Sequence, residues 1–171
     1  MEDVRDWPQA IRALLLVWGM AESDQAAAPL LARAAAIGDA ILEMRAPVDW
    51  PWAHFPFSTE QETVSFPFVA DAMEALVQLW EVGAGGRFLG PAQHIAHIFN
   101  CQQLPEGCWP QSVHARIGGT LGPERCAAGP MMLMARLDHV LERKEFAGSI
   151  ERAQKWLLDS NGGERCVGLD S

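Results

Sequence analysis

The sequence predicts an all-α protein of about three antiparallel helical hairpins, on three observations. Apolar residues recur at the i, i+3, i+4, i+7 spacing of a helix face through most of the 171 residues. Clusters of Gly and Pro cut that pattern into six segments. The segments also echo one another. Residues 94–111, HIAHIFNCQQLPEGCWPQ, end a helix, turn at a Pro-Gly segment and reach Trp109-Pro110. Residues 39–52, DAILEMRAPVDWPW, do the same and reach Trp50-Pro51. No useful length of sequence alternates with period two, so strands should be few or absent.

In chain order, Ile11, Leu14, Leu15 and Trp18 form one face of a first helix that opens after Trp7-Pro8 and closes near Gly19. Ser23 and Asp24 are N-cap residues for a second, carrying Leu30, Ala34, Ile37, Ile41 and Met44 until Pro47 and Pro51 break it. Residues 46–67, rich in Pro and aromatics, have no clean period and read as a long loop that is either functional or hides a further element. Val69, Ala72, Met73, Leu76, Leu79 and Trp80 mark a third helix, stopped by GAGG at 83–86. Pro91 suits the first turn of a fourth, with Ala92, Ile95, Ile98 and Phe99. A second Pro/Gly segment covers 104–129. The fifth helix follows Pro130 through Leu133, Met134, Leu137 and Leu141; the sixth starts near Ser149, carries Ile150, Ala153, Trp156 and Leu157, and ends at Asn161-Gly162-Gly163.

Residues 86–102 align on 144–160, with Phe88 on Phe146, Gly90 on Gly148 and Ile98 on Trp156. Upstream, Met73 falls on Met134, Leu76 on Leu137 and Glu81 on Glu142. The common unit is an inner helix, a short turn and an outer helix. Such a hairpin cannot bury its apolar face alone and must stack on its neighbours, so residues 70–82 and 131–142 should share a layer.

Length and composition fit one folded domain over 1–171, with 49% hydrophobic and 20% charged residues. Asp and Glu outnumber Lys and Arg by 22 to 13, for a formal charge of −9. That field repels phosphate backbones, and the scattered basic residues form no patch, so nucleic acid is not an expected partner. The apolar run Ala13–Val17 is far shorter than the ~20 residues of a bilayer span. Acidic Glu2, Asp3 and Asp6 precede it where a signal peptide needs positive charge, so neither a transmembrane segment nor a leader is expected. Cys101, Cys108, Cys126 and Cys166 lack CxxC spacing and read as free thiols of a reducing, cytoplasmic compartment, with no metal site. No P-loop, GxGxxG, GxSxG or HExxH occurs, which sets aside nucleotide, serine-hydrolase and zincin chemistry, and no cofactor is implied.

Gln103-Leu-Pro-Glu-Gly107-Cys-Trp109, preceded by Ile98-Phe99, resembles the QW repeat of triterpene cyclases and related α/α-toroid proteins, including the prenyltransferase type. In that family the Gln caps a helix end and stacks on the Trp of the turn, tying outer helices together; Gln103 and Trp109 match residue by residue. The copy at 39–52 keeps Trp50 but has Glu43 and Met44 near the Gln position, and the last copy, Ser160 to Gly163, has no Trp. The family's Asp-x-Asp-Asp acid motif is missing, and six hairpins would need about twice this length. The resemblance therefore implies half of an α/α toroid, completed by self-association or by a C-terminal half. Asp71-Ala-Met73, Cys101-Gln102 and Trp109-Pro-Gln111 also look like the (α/α)-barrel pectate lyases, which implies carbohydrate-active chemistry as the alternative.

In toroids functional groups come from loops at the mouth, beside the starts of the inner helices, which brings 46–71 and 104–130 together. From those loops Asp71, His54, His114 and Glu124 are the candidates for proton transfer, as a carboxylate pair or as a His acting on a uronate. Trp50, Trp52, Trp109, Gln111 and Arg116 are the candidates for lining the site, with the rings stacking on sugars or on an isoprenoid cation. The expected partner is a small isoprenoid or glycan. Each residue also has a plainer role. Asp71 would stabilise a helix N-terminus by about 0.3–1 kcal/mol, Trp50 and Trp109 would pack on helix ends, and Met131, Met132 and Met134 would be core. A non-catalytic interaction module with an apolar concave surface is the third reading.

Overall fold

The computed structural model describes residues 6–44 and 62–160. Within them the chain forms six α-helices: α1 (Trp7–Gly19), α2 (Asp24–Glu43), α3 (Phe66–Glu81), α4 (Leu89–Gln102), α5 (Ala128–Val140) and α6 (Ala147–Asp159). Beside them stand a 3₁₀ turn at Gly86–Phe88 and four strands of two or three residues. The all-α expectation stands.

Local sequence explains where the helices begin. Pro8 and Pro67 occupy the first two positions of α1 and α3, where a missing N–H is no loss and the fixed φ suits a helix. Ser23 caps α2, its hydroxyl accepting from the Ala26 N–H at 3.3 Å. Pro29 falls inside α2, which nevertheless continues to Glu43. The third helix starts three residues before Val69, because Phe66-Pro67 joins its first turn rather than the preceding loop.

α3 is the centre of the fold. It packs against α1 and α5 and also touches α2 and α4, while α1 packs on α2, and α5 on α4 and α6. Nine of its residues are buried, among them Val69, Ala70, Met73, Leu76, Val77 and Leu79, so it is apolar on most of its circumference. Of the pairs aligned in the sequence, Met73 and Met134, Leu76 and Leu137, and Phe88 and Phe146 are all buried. Gly38 is where α2 comes closest. A Cβ there would lie 2.6 Å from Leu79 Cδ1 and 2.9 Å from Phe88 Cε1.

The segment between α4 and α5, together with the residues just before α3, holds short ladders that periodicity did not reveal. β1 (Thr63–Ser65), β2 (Trp109–Pro110), β3 (Ser112–His114) and β4 (Arg125–Cys126) pair antiparallel as β1 with β3 and β2 with β4, in the registers Val64↔Val113 and Trp109↔Cys126. The Phe66 N–H extends the first ladder to the Gln111 carbonyl at 3.0 Å, and the Ala115 N–H donates to Glu62 O at 2.7 Å. The end of the first loop and the second loop are thus joined at the start of α3.

α1 buries only Pro8 and Ile11, while Leu16, Val17 and Met20 are 66%, 48% and 65% exposed. Of the three methionines read as core, Met134 is buried and Met131 partly so, but Met132 is 52% exposed. No helix of the described residues is long and apolar enough to cross a membrane.

Candidate functional site

Three helix starts meet around Asp71. An open groove of about 560 Å³ is lined by Arg12 of α1, by Pro67, Phe68, Asp71 and Glu74 of α3, and by Gly129 and Met132 of α5. Phe68, Asp71 and Glu74 follow one another at three-residue steps, which puts them in a row on one side of α3. Gly129 lets α5 close in on α3, since a Cβ there would stand 3.1 Å from the Ala70 methyl and 3.6 Å from Pro67 Cα.

Charge organises the groove. Arg12 Nη1 lies 2.5 Å from Asp71 Oδ1, and its Nη2 donates to the Asp71 carbonyl at 3.3 Å and reaches Glu74 Oε2 at 3.5 Å. Gln9 donates its amide to Asp71 Oδ2 at 3.2 Å. Both carboxylate oxygens of Asp71 are therefore engaged by α1, and the pair joins α1 to α3. The side chains of Arg12, Asp71 and Glu74 are 24%, 33% and 20% exposed, so the cluster is half-buried and only partly screened by water.

Asp71 is not an N-terminal dipole residue as expected. α3 begins at Phe66, and no acidic residue lies in its first turn. Nor do His114 and Glu124 line its groove. His114 sits on β3, with its Nε2 3.8 Å from Glu62 Oε2 and its Nδ1 accepting from the Arg116 N–H at 3.3 Å. Glu62 holds a left-handed φ of 47°, uncommon for a residue with a side chain. Glu124 folds its carboxylate back over Gly122, while its carbonyl accepts from the Gln111 N–H at 3.0 Å. Gln111 and Arg116 are exposed, and the contacts of Gln111 come from its backbone in the ladder. His54, Trp50 and Trp52 lie outside the described residues.

Trp109 belongs to the core rather than to an open surface. It is fully buried, its indole N–H donates to the Phe99 carbonyl at 2.7 Å, and its ring meets Phe99 edge-on at 6.4 Å. It thus satisfies one of the carbonyls that the end of α4 leaves without a helical partner. Gln103 completes that helix end. Its amide donates to Gly107 O and Ser149 O, and its Oε1 accepts from Arg152. The Gln and Trp of the quoted motif therefore do structural work at the α4–α6 junction.

Sequence reasoning missed Arg12, Glu74, Phe68 and Gln9. A signal existed for Glu74, three residues after Asp71 on a helix already assigned, but nothing local marks Arg12 as its partner across 62 positions. Cys101, Cys108 and Cys126 are free thiols, and no group of three His, Cys, Asp or Glu among the described residues is placed to hold a metal. Compared with known proteins, the chain matches no family model, no curated protein and no solved structure. The chemistry of the groove rests on its own residues.

Proposed function

We propose that the chain is a ligand-binding domain of the α/α-toroid type, built of helical hairpins, whose ligand sits in the groove at the starts of α1, α3 and α5. The order of packing supports the architecture: α1, α3 and α5 form a row, each helix of the row packs on the helix that follows it, and repeat-related residues are buried alike. The Gln103 bridge from α4 to α6 fits the part that such a Gln plays between outer helices in the family resembled.

The observation that carries the binding reading is the mixed lining of the groove. Pro67, Phe68 and Met132 supply apolar walls around the polar set Arg12, Asp71 and Glu74, which is the make-up of a small-molecule site. Binding is favoured over catalysis because Asp71 is held at both oxygens and has neither His114 nor Glu124 beside it. A positioned base must reach the proton it moves, and this one is committed to α1.

The test is a thermal-shift screen of sugars, short apolar molecules and isoprenoids of each charge, on the full chain and on Phe68→Ala. A ligand at 100 times its Kd should add about 2.7 kcal/mol of stability, and Phe68→Ala should reduce the shift. Recovery of the ligand unaltered supports binding without turnover. No shift from any member of the panel would reject the reading.

A further inference from the structure

We infer that the ligand of this groove carries a cationic nitrogen, an ammonium or guanidinium, at one end of an apolar or sugar body. The inference rests on the groove being a ligand site at all, and it concerns what that site selects.

Glu74 is the residue that decides it. Its side chain is 20% exposed, and its one polar partner among the described residues is Arg12, at 3.5 Å from Oε2. Arg12 is drawn elsewhere: it stands 2.5 Å from Asp71 Oδ1 and also donates to the Asp71 carbonyl. One guanidinium thus faces two carboxylates and neutralises the nearer. Among the described residues the groove keeps one negative charge in excess, and a part-buried carboxylate is stabilised by a charged N–H partner.

The row on α3 gives the ligand its polarity. From Phe68 to Glu74 is six residues, about 9 Å at 1.5 Å per residue. Phe68 forms the apolar end of the row and Glu74 the acidic end, with Met132 of α5 also lining the groove. A ligand of that length would lay its body on Phe68 and Met132 and direct its nitrogen to Glu74. Diphosphates and uronates meet the opposite field, both in the groove and from a chain of charge −9.

The test is calorimetric titration of the full chain with matched pairs: glucosamine trimer against its N-acetylated form, and hexylamine against hexanol. The pair that binds identifies the body, sugar or alkyl. Within it the cationic member should bind at least about tenfold tighter, a preference that shrinks as salt is raised. Glu74→Gln should abolish the preference while leaving the neutral member's affinity in place, and Glu74→Asp should restore part of it. Far-UV circular dichroism and melting of each variant confirm folding. Equal binding of the two members, or preference for neutral or anionic ligands, overturns the inference and leaves the groove as a site. Binding untouched by both Glu74→Gln and Phe68→Ala, or no binding at all, overturns the inference and the site together.

Discussion

The Gln103 amide donates to the Ser149 backbone carbonyl at 2.9 Å and so ties the end of α4 to the first turn of α6. The same amide bonds Gly107 O at 3.0 Å, and Arg152 donates to its oxygen from Nε at 2.9 Å and Nη2 at 2.5 Å. One side chain thus satisfies groups on the turn and on α6 at once. Gln103→Leu keeps the volume and removes every one of these bonds, while Arg152 keeps its bond to Ser149 Oγ at 3.0 Å. The expected loss is about 1–3 kcal/mol in urea unfolding, with ligand binding in the groove unchanged.

Trp109 gives a second, independent measurement at that helix end. Trp109→Phe retains most of the ring contact with Phe99 but removes the buried indole bond to the Phe99 carbonyl, for about 1 kcal/mol. Trp109→Ala adds a cavity and should cost about 3–5 kcal/mol. Were Trp109 a ligand platform instead, Trp109→Phe would leave stability unchanged and weaken binding.

These two residues show what sequence conveys here and what it does not. The helices were legible because burying one face requires 3.6-residue spacing, and residues such as Met73, Leu76, Met134 and Leu137 obey it. The start of α3 was misplaced because Phe66-Pro67 matches an aromatic loop and a helix first turn equally well. The ladders of β1 to β4, two or three residues each, are too short to show a period. At the site, Asp71 was legible as a polar residue near the third helix's start but not as a residue one turn inside it, and its meaning depends on Arg12 and Gln9, which only tertiary packing brings to it. Trp109 was legible as the partner of Gln103 in a motif, while its complete burial follows from the β2–β4 ladder that places it over Phe99.

Glycines separate packing from propensity. Gly38→Ala would gain helix propensity of about 1 kcal/mol, but its methyl would enter space held by Leu79 and Phe88, and overpacking of that kind costs about 1–3 kcal/mol. The net change should be destabilising. Gly90→Ala in α4 meets nothing within 4 Å, so propensity alone acts and the variant should melt higher than wild type. A Gly38→Ala protein as stable as Gly90→Ala would mean that α2 does not approach α3 so closely.

Acid should weaken one specific tie. Arg87 donates to both oxygens of Asp39, at 2.6 and 2.8 Å, and lies 4.2 Å above the Phe88 ring. The bond from Arg87 holds the Asp39 carboxyl below its ordinary value of 3.8. A carboxyl whose folded pKa is depressed contributes stability that is present above the unfolded value and lost as pH falls through the folded one. The Asp39 contribution should be whole at neutral pH and fade below about pH 4. It is small, because both side chains are nearly half exposed. In urea unfolding, wild type should exceed Asp39→Asn in stability at neutral pH, and the two should converge in acid.

Asp71→Asn distinguishes an anchor from an acid. As an anchor, Asp71 holds Arg12 and Gln9 of α1 against α3, so losing its charge weakens that contact. The pair is about one-third exposed or less at each end, which places the cost near 1 kcal/mol, between a surface and a buried ion pair. Arg12 would then turn to Glu74, the groove would become neutral, and the preference for a cationic ligand should disappear with the stability. As a catalytic acid, the same substitution would stop turnover of a bound substrate and leave unfolding free energy and ligand charge preference where they were. Measuring unfolding and ligand selectivity on one preparation of Asp71→Asn decides between them: a coupled loss of both identifies the anchor.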